Sequence, residues 1–489
     1  MKLKEISFEE LEKFALTTDE ATFHQTKGWA KLKEHNGWKH YVVGLFEEDE
    51  IKAAALLLAK RVPIVKKYMF YSPRGFLINY HDYNLLKEFT EEVKKFVKSK
   101  EGIFVKIDPY VMYKQRDLNG NLVKDGIDNS DTVDNLKKLS YKHFGLNLMQ
   151  DSLQPRWMHT ITVKDRTVDD VMKDMDSKTR QILRKNERLG VKVREITRDE
   201  LPIFKDIMQH TGERREFIDR PLSYYENMWD SLHDDGILKI LIAEVDFDEE
   251  IENTKKEIAA LEKSIKARKK QYEDKSKPMN EKKYHSKQEF EKNEIKRLQK
   301  NIEKTKDMKE KYGDKPILGG ILFLIYGKEV LSLYGGSKAE LMSFQSAYTL
   351  HFAGVKYAIE NGYDTYNFYG ITGDFSENNP LLGLYLFKKS FGGQVVELIG
   401  EFDLIISPFW YHAYKISYAL YHKLKNIKRW LGDHLFLFCI FYFNSNLIFP
   451  FPFDEVIVAI APFIIVILGE TCPISAFIII GIFKSFRDS

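Results

Sequence analysis

The feature that most constrains the fold of this chain is an ordered series of elements that occurs twice. The first copy contains HYVVGLF (40–46), IKAAALLLAKRV (51–62), KYMFYSPRG (67–75), LLKEFTEEVKKFVKSK (85–100) and GIFVKIDP (102–109). The second copy contains ILKILIAEV (237–245), ILGGILFLIYG (317–327), EVLSLYGGS (329–337), SAYTLHFAGVKYAIENG (346–362) and TYNFYG (365–370). Both read strand, turn, long strand, strand, helix, strand, and the repetition predicts two domains of one type.

Short apolar strands that alternate with amphipathic helices indicate the α/β class, with layered α+β domains. We predict a first domain over residues 1–150 and a second over residues 151–433. Apolar residues make up 44% of the chain and charged residues 30%, which is typical of a soluble globular protein. The net charge of +3 is too small to indicate a partner.

The two cysteines, Cys439 and Cys472, both lie near the end of the chain. Residues 1–438 therefore contain no disulfide, no thiolate metal site and no cysteine nucleophile, which fits a reducing compartment. The segment MKLKEISFEELEKF (1–14) is charged and lacks the apolar core of a signal peptide. We expect the body of the protein to be cytoplasmic.

A charged insertion separates the first two strands of the second copy, where the first copy has only EEDE (47–50). Its apolar residues recur at heptad or 3–4 spacing and are Ile251, Ile258, Ile265 and Tyr272, then Ile295, Leu298 and Ile302. These narrow seams predict an antiparallel coiled-coil arm over residues 247–313. From Glu249 to Tyr312 there are 20 Lys or Arg and 14 Asp or Glu, a net charge of +6. That charge fits a basic arm, and it also fits a coiled coil that is merely solvated.

From His434 onward the composition changes abruptly to an apolar tail, residues 434–489. Within the tail, roughly 28 mostly apolar residues (456–483) approach the length that spans a bilayer. Pro462, Glu470 and Pro473 interrupt that stretch. The tail is therefore interpreted as a membrane-inserted segment or as a non-native extension.

Several motifs follow one another in the order found in a known family. They are HQTKGWAKLKEHNGW (24–38), YSPRGFLINY (71–80), IFVKIDP (103–109), LQPRWMHTI (153–161), TGERREFIDRPLSYYENM (211–228), LYGGS (333–337), LYLFKKSFGG (384–393) and IGEFD (399–403). With these motifs the chain resembles the FemABX aminoacyltransferases over about residues 1–430. The resemblance implies two tandem acetyltransferase-like (GNAT-like) domains, with the coiled-coil arm inserted in the second.

The resemblance also implies a reaction. Enzymes of this family move an amino acid from aminoacyl-tRNA to the side-chain amine of the third stem-peptide residue of a peptidoglycan precursor. The amino acid is glycine, serine or alanine, and the acceptor is lipid II or the UDP-linked muramyl pentapeptide, at the cytoplasmic membrane surface. Because an aminoacyl ester is already activated, no cofactor or metal is expected. The reaction needs an acid near the amine and positive charge near the oxyanion.

Three residues are candidates for catalysis. Asp108 ends the strand IFVKIDP, where an Asp before Pro is usually a turn residue, but the resemblance makes it the active-site carboxylate. Phe387 and Lys388 match positions near the acceptor end of the tRNA. Read without the resemblance, FKK is a helix end whose lysines suit the helix dipole. Lys389 is the weaker candidate of the two lysines.

Four further residues are candidates for substrate binding. Lys33 and Arg220 match the lysine and arginine of the family that hold phosphate, although Lys31 is near enough to take the role of Lys33. Tyr224 and Tyr334 match aromatic positions that line the substrate channel. Core packing is the alternative interpretation for either tyrosine.

A row of arginines suggests a contact with nucleic acid. Arg180, Arg184 and Arg188 recur every four residues, which places them on one face of a helix. Such a row can follow the phosphates of the tRNA, and it can equally be a solvated face. The arm can bind tRNA too, or can support a dimer with the same or a related transferase.

Two other functions compete with aminoacyl transfer. An acyl-CoA-dependent N-acyltransferase of the same fold would need a glycine-rich pyrophosphate turn, and RLGVKV (188–193) and GGSKAE (335–340) do not fit that turn. A membrane-tethered, non-enzymatic adaptor would leave the matches at Asp108, Arg220 and Lys388 unexplained.

Overall fold

The computed structural model describes residues 1–63, 65–148, 152–274, 280–431, 455–460 and 463–468. Its helices are α1 (Phe8–Ala15), α2 (Lys27–Glu34), α3 (Tyr83–Ser99), α4 (Ser130–Lys138), α5 (Val168–Asp174), α6 (Ser177–Arg188), α7 (Leu201–Arg215), α8 (Leu222–Leu232), α9 (Phe247–Glu273), α10 (Glu281–Tyr312), α11 (Ser346–Glu360), α12 (Leu382–Lys389) and α13 (Pro408–Leu431). Short 3-10 helices cover Phe23–Gln25, Arg198–Glu200 and Ala339–Phe344.

The strands alternate with these helices along the chain. They are β1 (Lys2–Glu5), β2 (Trp38–Glu47), β3 (Glu50–Arg61), β4 (Tyr68–Ser72), β5 (Gly102–Ile107), β6 (Met112–Gln115), β7 (Tyr141–His143), β8 (Trp157–Thr162), β9 (Val191–Glu195), β10 (Leu238–Val245), β11 (Ile317–Tyr326), β12 (Glu329–Ser337), β13 (Thr365–Gly370), β14 (Gln394–Leu398), β15 (Phe402–Ile405), β16 (Glu455–Ile460) and β17 (Phe463–Leu468).

Two large sheets organise the described part of the chain. The first has the strand order β1-β2-β3-β4-β5-β15-β7, and the second has the order β6-β14-β8-β13-β12-β11-β10-β9. Helices pack against both sheets, so the α/β class predicted from the sequence is confirmed.

The two copies of the sequence series fold in the same way. In the first, β2, β3 and β4 pair antiparallel in turn, and β5 then pairs parallel to β4. In the second, β10, β11 and β12 pair antiparallel, and β13 pairs parallel to β12. A parallel pair requires a crossover, which α3 supplies in the first copy and α11 in the second.

The two sheets exchange one strand each. The strand β6 follows β5 in sequence but joins the second sheet beside β14, and β15 returns from the second half to pair with β5 and β7. The division predicted at residue 150 therefore does not separate the two sheets. The repeat could not reveal this exchange, because β6 and β15 lie outside both copies.

A hydrophobic core fills the space between the two halves. It combines Leu11 of α1, Trp29 of α2, Phe204 of α7 and Trp229 of α8 with apolar residues of both sheets, such as Leu56. Because α1, α2, α7 and α8 bury their apolar sides in one shared core, the two halves pack as a unit.

The charged insertion forms α9 and α10, which run antiparallel against each other. Near the far end of the pair Tyr272 stacks on Tyr284 with ring centres 4.0 Å apart, and Arg268 binds Glu291. At the near end the Thr305 hydroxyl donates to a carboxylate of α9. The insertion leaves the second sheet between β10 and β11, whose paired residues Glu244 and Ile317 mark its base.

Most of the tail lies outside the described residues. The strands β16 and β17 pair antiparallel with each other. Among the helices that the structure describes, none combines the length and apolarity needed to cross a membrane.

Candidate active site

Asp108 directly follows β5, and only 4% of its surface is exposed. Its carboxylate accepts a hydrogen bond from the backbone N–H of Arg74 at 2.8 Å and another from the Tyr71 hydroxyl at 3.2 Å. The Arg74 guanidinium, itself 3% exposed, stands 4.0 Å from the same carboxylate. Two donors and a cation therefore compensate the burial of this acid.

The turn that carries Arg74 is fixed by its surroundings. Arg74 has a φ of +60° and Gly75 a φ of +82°, and a Cβ at Gly75 would lie 2.5 Å from the Tyr80 hydroxyl. Glycine is therefore required at position 75. The buried Gln25 amide donates to the carbonyls of Pro73 and Gly75 at 2.7 and 2.8 Å. These bonds hold the Arg74 backbone N–H on Asp108.

Burial brings the pKa of Asp108 close to neutrality. It raises the pKa of this carboxyl to about 6, against the opposing effects of the Arg74 charge and backbone N–H. A carboxyl with such a pKa can take up and release a proton near physiological pH. Burial also lowers the pKa of His24 well below its usual value, helped by the charges of Arg74 and Lys33. His24 is therefore a neutral imidazole beside this site.

A cavity of about 160 Å³ opens beside Asp108. Asp108, Arg74, Gln154, Arg156 and Glu401 are among the residues that line it. The charges of Arg156 and Glu401 have partners already, because Arg156 binds a glutamate of β14 and Glu401 lies 3.1 Å from a lysine of β5. Each molecule in liquid water takes up about 30 Å³, so the cavity has room for a polar group such as an amine.

Four residues predicted to bind substrate form one row. Burial lowers the pKa of Lys33 to about 8, and the positive charge of the nearby Arg220 adds to that effect. The Arg220 guanidinium is 5.3 Å from the centre of the Tyr224 ring. Burial raises the pKa of Tyr224, and the interaction of Tyr224 with the Tyr334 hydroxyl adds to that rise.

Tyr369 joins this row to Asp108. Its hydroxyl donates to the amide oxygen of Gln154. Burial raises the pKa of Tyr369, the adjacent Arg74 opposes the rise, and Tyr334 and Asp108 contribute to it. Tyr369 is therefore near Tyr224 and Tyr334 on one side and near the buried carboxylate of Asp108 on the other.

Lys388 and Phe387 both lie on α12. Lys388 is only 6% exposed, and its ammonium donates to the carbonyls of Phe368 and Gly370, both at 2.7 Å. Burial lowers the pKa of Lys388 to about 7. Phe387 packs in an aromatic core, with its ring centre 4.9 Å from that of Tyr348. The structure therefore brings Lys388 to the backbone beside Tyr369.

The three arginines of α6 have different surroundings. Arg180 donates to backbone carbonyls at the end of α5, including that of Met175. Arg188 forms an ion pair with Glu257 of the insertion at 3.4 Å, and Arg184 is exposed. The sequence spacing gave the helical face correctly but could not reveal these internal partners. A role of the three in binding tRNA stays a prediction.

The sequence analysis did not single out Arg74, Tyr369 or Gln154. Arg74 and Gln154 lie within motifs quoted for the family resemblance, and the Pro-Arg-Gly series of residues 73–75 signals a turn. Neither signal indicates which side chain meets Asp108. That information comes from tertiary packing, which brings a turn of the first half against the chain entering β8.

The arrangement suits transfer of an activated acyl group to an amine. An ionised Asp108 can hold an ammonium and take its proton. The fixed charge of Arg74 lies close enough to stabilise negative charge that develops in the same cavity. Both groups are held in place before any substrate binds.

Comparisons with known proteins agree with this chemistry. The model of the FemAB family matches residues 6–419. Aminoacyltransferase FemA of Staphylococcus epidermidis is 33% identical over 435 residues, which is 88% of this chain and 100% of that protein. The Staphylococcus aureus enzyme of the same name (strain bovine RF122 / ET3-1) is 32% identical over 430 residues, 88% of this chain and 99% of the relative. The crystal structure of FemX superposes with a TM-score of 0.72 at 28% identity, covering 84% of this chain and 99% of that one.

The fold and the relatives together define an aminoacyltransferase. The chain belongs to the FemAB family, as the resemblance in its motifs predicted.

The raised pKa of Asp108 predicts how its replacement changes stability. An acid whose pKa rises from 3.8 to about 6 on folding weakens the folded state as pH increases through that window, by up to about 3 kcal/mol. Asp108→Asn should therefore increase the free energy of unfolding, and the increase should be larger at pH 8 than at pH 5, by roughly 1 kcal/mol. Denaturant unfolding at both pH values measures this difference.

Asp19→Asn is the matched control, because the Asp19 side chain is 91% exposed and its stability effect should stay within about 0.5 kcal/mol. A loss of stability in Asp108→Asn at pH 8, or a gain that does not change with pH, would contradict the assignment.

Proposed function

We propose that this enzyme transfers glycine, serine or alanine from aminoacyl-tRNA to the side-chain amine of the third stem-peptide residue of a peptidoglycan precursor. The product is part of an interpeptide bridge. The observation that carries the proposal is the buried Asp108, which has a pKa of about 6 and lies against the Arg74 guanidinium in a cavity of about 160 Å³. The relatives named aminoacyltransferase FemA support the reaction type.

The proposed reaction uses fixed charges. The acceptor arrives as an ammonium, pairs with Asp108 and passes one proton to its carboxylate. The neutral amine then attacks the ester carbonyl, and a C–N bond forms while negative charge grows on the carbonyl oxygen near Arg74. When the tetrahedral intermediate collapses, the C–O bond to the ribose breaks, and the tRNA hydroxyl leaves with the second proton that the attacking nitrogen gives up.

The phosphates of the acceptor would bind to Lys33 and Arg220. Lys33 and Arg220 supply two positive charges, one as a point charge and one as a planar fork. Both lipid II and the UDP-linked muramyl pentapeptide carry a pyrophosphate that such a pair can hold. Tyr224 and Tyr334, which lie next to Arg220, would line the passage from the phosphates to Asp108.

The wider organisation follows the same proposal. We assign residues 1–150 and 151–433 to tandem acetyltransferase-like domains, and α9 and α10 to a coiled-coil arm. The enzyme would work in the cytoplasm at the inner membrane surface, where a lipid-linked acceptor is presented. The arm, together with Arg184 and Arg188 of α6, would contact the tRNA, since residues 249–312 carry a net charge of +6 and Arg188 pairs with Glu257 of the arm.

The first test measures transfer of a labelled amino acid. Glycyl-, seryl- and alanyl-tRNA are offered separately with a synthetic precursor, and acetyl-CoA serves as the alternative donor. One charged tRNA should support transfer, acetyl-CoA should not, and Asp108→Asn should lower kcat by about 10²–10⁴-fold, the usual contribution of a general base. Transfer from acetyl-CoA alone, or full activity in Asp108→Asn, would contradict the proposal.

A second prediction concerns the phosphate-binding lysine. Because the pKa of Lys33 is about 8, kcat/KM for the acceptor should fall as pH increases through that value and the ammonium loses its charge. Lys33→Ala should lower kcat/KM by about 10–100-fold, the effect of a charged hydrogen bond. Lys33→Arg should restore activity and remove the decline above pH 8. The exposed Lys31 provides the control, and a larger loss in Lys31→Ala would assign the phosphate role to that lysine.

A third prediction concerns the insertion. Replacing residues 249–312 by a short turn keeps the base of the β10–β11 pair, so the remainder should fold. The KM for aminoacyl-tRNA should increase by about tenfold or more, with kcat for a minimal aminoacylated acceptor stem unchanged. An unchanged KM for full-length tRNA would show that the arm serves another purpose, such as dimerisation.

A further inference from the structure

The strand β13 contains a bulge at the site. Asn367 pairs with Thr160 of β8, but the next paired residues are Gly370 and Met158. Phe368 and Tyr369 therefore stand opposite a single residue of β8, which is the arrangement of a β-bulge. Tyr369 has a φ of +65°, an uncommon value for a residue other than glycine. The surroundings of the bulge must therefore hold this conformation in place.

Lys388 holds the bulge from α12. Its ammonium donates to the carbonyls of Phe368 and Gly370, the residues on either side of Tyr369, at 2.7 Å each. A second clamp acts within the strand, because the Asn367 side chain accepts a hydrogen bond from the Tyr369 backbone N–H at 2.7 Å. Burying an ammonium is unfavourable, so its presence here needs a specific reason.

The bulge determines where the Tyr369 side chain lies. The side chains of a regular strand alternate between its two faces, and an extra residue changes that alternation. The Tyr369 hydroxyl donates to Gln154, and its ring lies near Arg74, whose backbone and side chain contact Asp108. The Phe368 ring, by contrast, packs with Phe391 in the core on the α11 side of the sheet, and the Lys388 ammonium reaches the Phe368 carbonyl from α12.

We propose that Lys388 is a positioning residue that acts through Tyr369: its ammonium fixes the bulge, and the bulge keeps Tyr369 against Arg74 and Gln154 beside Asp108. This inference rests on the proposed function of the same site. It differs from the role that the family resemblance implies, in which the lysine itself meets the reaction centre or the tRNA terminus. The two roles make different predictions, because a residue that acts through another loses its effect when the other is already altered.

The test is a double-mutant cycle of Lys388→Met and Tyr369→Phe in the transfer assay. Each single variant should lower kcat by about 10–100-fold with the KM for aminoacyl-tRNA changed by less than threefold. The double variant should be no worse than the poorer single variant by more than about threefold. Losses that multiply, or a raised KM for aminoacyl-tRNA in Lys388→Met alone, would overturn the proposal.

Two companion variants separate hydrogen bonding from charge. Lys388→Gln keeps N–H donors without the charge, and it should recover about tenfold over Lys388→Met, the value of one or two hydrogen bonds. No recovery would favour a direct role of the positive charge and would overturn the proposal. Lys389→Met is the matched control, since the Lys389 ammonium lies 5.6 Å from the Tyr385 ring instead of on the bulge, and its kcat should stay within threefold of wild type.

Two further readouts do not depend on the rate alone. Displacing Tyr369 should loosen Arg74 and raise the pKa of Asp108, so the acidic limb of the pH profile of kcat/KM should move to higher pH in both single variants. A crystal structure of Lys388→Met should show the Tyr369 hydroxyl away from Gln154. An unchanged bulge would refute the proposal even if the variant is inactive.

If the wild-type enzyme transfers no amino acid, the proposed function fails; if it transfers and the losses multiply, only the positioning role fails.

Discussion

The contact between Arg74 and Asp108 is the interaction on which the rest of the site depends. A buried carboxylate without partners would be strongly destabilising, and here a backbone N–H, a hydroxyl and a guanidinium compensate its burial. The partners come from a turn that Gln25 clamps and from the strand β4, which carries Tyr71. Arg74 also donates to the carbonyl of Pro155 at 3.2 Å, so the same side chain ties the first half of the molecule to the chain entering β8.

The strand exchange explains why this contact can be rigid. Because β15 completes the first sheet and β6 completes the second, neither half closes its sheet with its own residues. The exchanged strand β15 is also anchored electrostatically, since the buried Asp403 lies 3.0 Å from the ammonium of Lys106 on β5. Asp108 directly follows β5, so the strand that anchors β15 also fixes the position of the catalytic candidate. Such preorganisation is what an enzyme that relies on fixed charges requires.

Part of this architecture could be predicted from the sequence. The repeated series predicted the matching strand pairs, and the heptad spacing of residues such as Ile258 and Ile265 predicted long helices in the insertion, because both patterns record local periodicity. The row from Lys33 to Tyr334 was found only through the family resemblance, since nothing local distinguishes these residues from surface or core positions.

The remaining features depend on contacts between distant segments. The strand exchange and the approach of Arg74 to Asp108 join parts of the chain that no local pattern relates. The bulge at Tyr369 is similar, because TYNFYG reads as a regular strand and the irregularity becomes visible only in its pairing with β8. Arg180 shows the same limit: its spacing places it on one face of α6 with Arg184 and Arg188, but only the structure shows that its guanidinium donates to backbone carbonyls. Sequence periodicity gives the face of a helix, and the fold decides what that face meets.

The central claim is that the acceptor amine meets the activated ester in the cavity that Asp108 and Arg74 line. The most direct measurement is a crystal structure of the protein with a stable conjugate in which the acceptor peptide is joined through an amide to the aminoacyl end of a tRNA analogue. The account predicts the reacting nitrogen within about 3 Å of the Asp108 carboxylate, with the pyrophosphate on Lys33 and Arg220. A conjugate bound with its reacting nitrogen outside this cavity and without contact to Asp108 would contradict it.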